Sequence, residues 1–401
     1  MIKISFPSKD FARAFAIVGK QVARKSVMPI LENVLLRFDE ERRVFQMMAS
    51  DSESWLTIDV PFITAMDGDS QQPFDAVVLP YATLKDALAT LPSVPCTAVI
   101  DDGKITVEHS DGHFSLPVQD SMEFPMPVGV ITEESPLPRD SEPVCRFTVS
   151  TDWLLPVMSD ARVSVAADPL RPVLNTECID VFCDKIVVVS SDGHLLFKSQ
   201  HDTGAGSGFL DYHSFAANES AKLLVPGNII DTVITAFSSA EEVTITADDK
   251  RIQFSAEGVC LVCRSVEGRY PNYESVIPKD NPFIVTVNRN SLRSSLRRLN
   301  IFASESSNMV VLHRQGNTLT LEADDIDFSL NSCESIVIQG DTKMPENTKF
   351  GFKIATLISL SGVIGTENVV LCLADPTRPM LLKEEDSNSQ LTLLAMPMLV
   401  S

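Results

Sequence analysis

The chain has 401 residues, 44% hydrophobic and 22% charged, with 54 acidic against 33 basic side chains and a formal net charge of -21. That length predicts two or three domains, each able to bury its own core. The apolar content excludes a disordered chain, and no run approaches the ~18 uncharged apolar residues of a membrane-spanning helix. Eight scattered cysteines and an opening without an apolar signal core read as a cytoplasmic protein with reduced thiols. Such acidity argues against a nucleic-acid surface only as an average, so the distribution of the basic residues decides.

Two stretches rich in proline and charge, residues 125–144 and 270–283, read as linkers. Between them, each piece opens with an alternating strand, a polar cap and an amphipathic helix, starting at Ile4, Phe147 and Phe283. An acidic turn inside a strand pair follows, from Ala49, Val189 and Glu322, then a second helix, from Leu79, Val225 and Phe352. Closing strands with a proline end each piece. Four markers in one order, recurring at roughly 125 to 150 residues, predict an α+β fold. It consists of three similar tandem modules, each with two helices and antiparallel strands, over residues 1–138, 143–280 and 282–401.

The first helix carries Lys9, Arg13, Lys20 and Arg24 at steps that place them within about 60° of arc, with Phe11, Phe15, Val18 and Val22 opposite. The first helix of the third module puts Leu292, Leu296 and Leu299 inward and Arg293 and Arg297 one turn apart beside Arg298. The second module departs from this, with Asp152 and Asp160 against a single Arg162. A basic face is often just a solvated one. Two equivalent basic helices in an acidic chain point instead to a shared polyanion surface.

Other chemistry is sparse. Cys260 and Cys263 stand three apart on an expected strand, on opposite faces, which suits core packing and not zinc. Gly204, Gly206 and Gly208 read as a hairpin tip. Asp192 and His194 are the one acid–base pair in reach of a hydrolase reading, without a convergent partner. No nucleophile elbow or phosphate loop occurs, so no catalytic residue, cofactor or metal is expected. The apolar ending, with Leu394, Met396, Pro397 and Met398, reads either as a terminal strand completing a sheet or as an adaptable partner surface.

Residues 26–36, 114–125, 171–181, 190–198 and 266–278 and the ending MPMLV resemble, in this order, the signature segments of the bacterial DNA sliding clamp, the beta subunit of the replicative DNA polymerase holoenzyme. The resemblance spans essentially the whole chain. It implies the DNA clamp fold and a homodimer closing head to tail into a ring of six domains around double-stranded DNA. Such a ring is a non-enzymatic processivity factor that tethers the polymerase catalytic subunit, the clamp loader and other proteins with a clamp-binding motif, away from any membrane.

DNA-facing positions would then be Lys9, Arg13, Lys20, Arg24, Lys25, Arg293 and Arg297. The partner-peptide pocket matches Leu174, Ser191, Gly193, His194, Leu196, Pro271, Val276, Thr377, Pro379, Leu394, Met396, Pro397 and Met398. The ring interface matches Phe114 and Leu116 on the first module and Ile301 and Phe302 on the third. Leu195 stands where the family usually has arginine, Ser275 where a basic residue is common, and the last residues lack an arginine. These departures predict a more purely apolar motif preference, and they leave open a divergent clamp-like ring with altered partners.

Overall fold

The computed structural model describes residues 2–67, 76–101, 103–127, 145–202, 220–248 and 250–400. The linker residues 128–144 and the expected hairpin tip at Gly204, Gly206 and Gly208 lie outside them. Six helices occur among the described residues: α1 (Ser8–Val18), α2 (Tyr81–Ala89), α3 (Thr151–Ala161), α4 (Ile230–Ala236), α5 (Arg289–Leu299) and α6 (Ile354–Val363). They fall two to a module, where the repeat expects them.

Packing groups the chain into two compact units, one holding Met1–Leu155 with Asn228–Ser265, the other the described residues between Pro156 and Gly227 with Val266–Ser401. The first unit contains a five-stranded sheet in the order Thr64–Asp67, Ile2–Pro7, Pro95–Asp101, Lys104–His109, Gly112–Pro117. Its second sheet runs Gln119–Asp120, Ala76–Pro80, Asn33–Asp39, Val44–Ser50, Ser54–Pro61, Val259–Arg264, Arg251–Ala256, Glu242–Ala247, Cys145–Ser150. The other unit has one twelve-stranded sheet. Its first half is Ala221–Pro226, Thr176–Val181, Lys185–Ser191, Leu195–Asp202, Leu391–Ala395 and Met380–Glu384. The second half is Asn368–Leu373, Phe283–Asn288, Leu330–Gln339, Thr318–Asp325, Met309–Gln315 and Phe350–Lys353. Neighbouring strands are antiparallel, so alternate residues face the helices and the outer surface.

Helix α1 buries Phe11, Ala14, Phe15 and Val18. Phe6 and Phe45 complete an aromatic cluster there, with Phe6 and Phe11 ring centroids 4.5 Å apart. Burying one such ring contributes about 2–3 kcal/mol, which is what fixes the face α1 turns outward. The helix stops at Val18, before the Lys20 and Arg24 that the spacing had placed on it. Gly19 packs flat under the Tyr81 ring, where any Cβ would collide with it. The Gln21 amide then donates to Ser54 Oγ at 2.6 Å, and the Ala23 N–H is captured by the Leu31 carbonyl. A buried polar group needs its partner, and these two bonds draw the chain out of the helical path.

The polar cap is present at α5, where Asn288 Oδ1 accepts from the Ser291 N–H at 3.0 Å. At α1 the cap position is Pro7, with no side-chain bond. The stretch 270–283 is not a free linker: Tyr270 and Tyr273 are buried in a core cluster with Cys178, Val189, Leu196, Leu224 and Leu394. Cys260 and Cys263 lie on strand Val259–Arg264, Cys263 buried and Cys260 half-buried, and burial pushes the Cys260 thiol up to about 12.

Candidate functional site

Of the expected pocket residues, Leu196, Leu394, His194 and Met396 meet at the ladder between Leu195–Asp202 and Leu391–Ala395. Leu196 stands opposite Leu394, and the Met396 N–H extends the ladder to the His194 carbonyl at 2.8 Å. Asp192 turns the chain into this strand, its Oδ1 accepting from the N–H groups of His194 at 2.7 Å and Leu195 at 2.9 Å. Gly193 adopts φ 92°, which only glycine takes cheaply. Asp192 and His194 are therefore the frame of a tight turn, and their bond runs through the backbone, not between two side chains poised for proton transfer.

Leu196 and Leu394 are buried and form the floor, joined by Tyr270, Tyr273, Cys372 and Leu381, with Val173 and Ile277 packed against them. Leu394 therefore belongs to the core, and the chain ending is a sheet strand as far as Ala395. Beyond it Met396 is exposed, Pro397 is half-buried, and Met398 is half-buried and donates its N–H to the Gly351 carbonyl at 2.8 Å. Ser191, Leu174 and Pro379 are half-buried, while Gly193, His194, Pro271, Val276 and Thr377 are exposed. Asn281 ties the rim together by donating to the carbonyls of Cys372 at 2.8 Å and Pro379 at 3.0 Å. Thr377 donates from both N–H and hydroxyl to Asp375 Oδ1, which holds that carboxyl below its usual range.

Leu195 does not border this floor. It alternates with Leu196, is buried, and faces the other side of the strand. The nearby cation is Arg171, which the expected set omitted: a Cβ on Gly193 would stand 3.2 Å from its guanidinium. Arg171 is held by Asp168 at 2.9 Å, and that pair and the Leu170 N–H hold Asp168 below the usual carboxylate range. A glycine in the left-handed region beside an arginine is the signal that could have found it. Beneath the floor, Asp180 accepts from Lys222 and from the Tyr273 hydroxyl, and burial pushes the Tyr273 phenol up.

The cations of the first unit are accessible. Lys9, Arg13, Lys20, Arg24 and Lys25 are all exposed, the last at φ 56°. Arg13 donates to Ser239 at 2.9 Å and Lys20 to Thr235 at 2.6 Å, so hydroxyls on and just after α4 hold two of them in place. The α5 set differs. Arg297 is exposed, but Arg293 is half-buried with its Nε out of solvent and its guanidinium against Gly362 of α6. Arg298 makes a two-pronged pair with Glu334, 2.6 and 2.5 Å, and that pair holds the Glu334 carboxyl down. Phe114 and Leu116 lie half-buried on the edge strand Gly112–Pro117. Ile301 is exposed and Phe302 half-buried just after α5.

Three family models match the chain in succession: the N-terminal domain of the DNA polymerase III beta subunit over residues 2–128, its central domain over 148–272, and its C-terminal domain over 274–399. The chain belongs to the DNA polymerase III beta subunit family, the bacterial sliding clamps. The beta sliding clamp of Synechocystis is 23% identical over 99% of both chains, and that of Caulobacter vibrioides 23% over 95% of both. Crystal structures of the Thermotoga maritima beta subunit and the Pseudomonas aeruginosa sliding clamp superpose over the full length of both chains, each with a TM-score of 0.84, at 20% and 21% identity.

Proposed function

We propose that two copies of this chain close head to tail into a ring that encircles double-stranded DNA and tethers the replicative polymerase without catalysing a reaction. The observation that carries this reading is the ordered succession of three beta-subunit domain matches between residues 2 and 399. The domain boundaries follow the repeat, at 1–138, 143–280 and 282–401. Lys9, Arg13, Lys20, Arg24 and Lys25, with Arg297, face the DNA, while Arg293, expected beside them, packs on Gly362 and adds little. A cationic lining inside an acidic molecule of net charge -21 holds phosphates loosely while the outer surface repels them. Phe114 and Leu116 of one copy meet Ile301 and Phe302 of the next, an apolar heterologous contact that closes by rotation.

The floor at Leu196 and Leu394, rimmed by His194, Met396 and Val276, takes the linear motifs of the polymerase subunit, the clamp loader and other partners. A structure of the Pseudomonas aeruginosa clamp, 22% identical, carries griselimycin, so a relative of this fold holds a ligand. Among the described residues no helix is long and apolar enough to cross a membrane, and no group of three or more His, Cys, Asp or Glu is placed for a metal. With Arg171 already paired to Asp168, acidic flanks on a partner peptide add little. Titration with a short glutamine–leucine–phenylalanine peptide tests the pocket. Binding near 1 µM, about -8 kcal/mol, supports it. No binding up to about 1 mM would leave a clamp-like ring with altered partners.

A further inference from the structure

The ladder under the peptide floor has a counterpart in the other compact unit. Strand Ser54–Pro61 pairs with Val259–Arg264 so that Trp55 stands opposite Val262, as Leu196 stands opposite Leu394. The Arg264 N–H continues that ladder to the Glu53 carbonyl at 3.0 Å, as Met396 does to His194. Asp51 Oδ1 frames the turn by accepting from Glu53 and Ser54, as Asp192 does from His194 and Leu195. Even the left-handed residue recurs, Ser52 at φ 78° for Gly193 at 92°. The apolar cluster beneath, Leu35, Met48, Val78 and Phe124, holds the places of Cys178, Val189, Leu224 and Tyr270.

What differs is the surface over this second scaffold. A cavity of about 680 Å³ crosses the same face of the nine-stranded sheet. Trp55 stands in it with its indole N–H fixed to the Pro125 carbonyl at 2.8 Å, which makes the ring a rigid platform for an apolar side chain. Exposed Arg37 lies towards one end, exposed Arg146 at the other, and Arg42 is held over Asp59 at 2.5 Å. Arg37 and Arg146 lie on strands six places apart, about 29 Å at ~4.8 Å per strand, the span of about nine extended residues. The side chain of Thr57 lies between them, with the hydroxyls of Thr244 and Ser255 bonded within the sheet, to Thr148 Oγ1 and to the Thr244 carbonyl. Among the described lining residues, the three guanidinium groups of Arg37, Arg42 and Arg146 outnumber the carboxylates of Asp59 and Glu257, in a chain of net charge -21.

We propose that this groove is a second docking site, for an extended peptide that sets an apolar residue on Trp55 and acidic residues towards Arg37 and Arg146. The proposal rests on the register of the repeat and stands apart from the pocket at Leu196 and Leu394. The probe is a ten-residue synthetic peptide with a leucine–phenylalanine pair between two pairs of aspartates, added to the full chain labelled with 5-fluorotryptophan. The two tryptophans give two fluorine resonances, and Trp55→Phe assigns them.

The expected result is a saturable shift of the Trp55 resonance with Trp153 unmoved, retained when Met396→Asp disables the other pocket. The apparent Kd weakens about tenfold in Arg146→Gln or Arg37→Gln, and about as much when the aspartates are replaced by asparagine. An unmoved Trp55 resonance up to about 1 mM peptide overturns the proposal, whatever the other pocket binds. So does a shift that Met396→Asp abolishes, or one equally strong with the neutral peptide. The two arginine variants check each other: both are exposed, and a folded spectrum for either keeps the test open.

Discussion

Helices α1 and α5 hold the same place in their modules, yet their cations do different work. On α1 and the segment that follows it, the apolar face of the helix is anchored by phenylalanines and the basic residues are exposed, Arg13 steadied by the hydroxyl of Ser239 and Lys20 by that of Thr235. On α5 the arginines are mostly engaged: Arg289 donates to the Ile364 carbonyl, Arg293 packs on Gly362, Arg298 pairs with Glu334, and Arg297 alone of the four is exposed without a contact among the described residues. The helix with more basic residues, four on α5 against two on α1, therefore need not present more free charge. A guanidinium that holds its own protein together is a weaker anchor for phosphate than one left in water.

The widest test of this contrast removes what presents the cations. Phe15→Ala, at a fully buried ring, is expected to cost about 3–5 kcal/mol, and Leu296→Ala on α5 about 2–5 kcal/mol, both measured by urea unfolding. Equal DNA binding by folded Phe15→Ala would show that the α1 face does not position the cations. The next effect is on DNA itself. Neutralising Lys9, Arg13, Lys20, Arg24 and Lys25 together is expected to lower the slope of log K against log salt by about 4, and neutralising Arg293 and Arg297 by about 1. Equal losses from the two sets would erase the difference between the helices.

A finer division lies within α5. Arg293→Met should lower stability with little change in the salt slope, while Arg297→Met should lower the slope with little change in stability, each read by denaturation and DNA titration. The smallest effect concerns Glu334, whose pKa the Arg298 pair depresses. A depressed carboxylate contributes stability above its unfolded pKa of about 4.3, and loses it as pH falls through the folded value. Between neutral pH and about pH 3 the wild type should therefore lose slightly more stability than Glu334→Gln. An identical acid profile for the two would mean the pair is slack in solution.

Much of the fold was legible because strand alternation and helix spacing are local, and because a repeat displays each signal three times. The helices starting near Ser8, Thr151 and Arg289 and the turns at Asp51 and Asp192 were readable on those grounds. What escaped was decided by tertiary contacts. Periodicity ran α1 through Lys20 and Arg24, since nothing nearby says that Gln21 will find Ser54 or that Tyr81 will cover Gly19. The stretch at 270–283 looked like a linker because proline and charge dominate its composition, while its two tyrosines were already committed to the core. The resemblance named Leu196 and Leu394 together, and they stand opposite each other in one buried cluster, but Leu195 and Leu196 differ only in which face they take. Arg171 was hidden because its importance lies in proximity to Gly193, more than twenty residues on.

The central claim, a closed ring that holds DNA by topology, is tested most directly by retention. Protein loaded by a clamp loader onto nicked circular plasmid should co-elute with it in about 0.5 M salt, where simple phosphate contacts are screened. Cutting the plasmid once should release it. Equal retention on circular and linear DNA, or loss from both at that salt, would contradict the account.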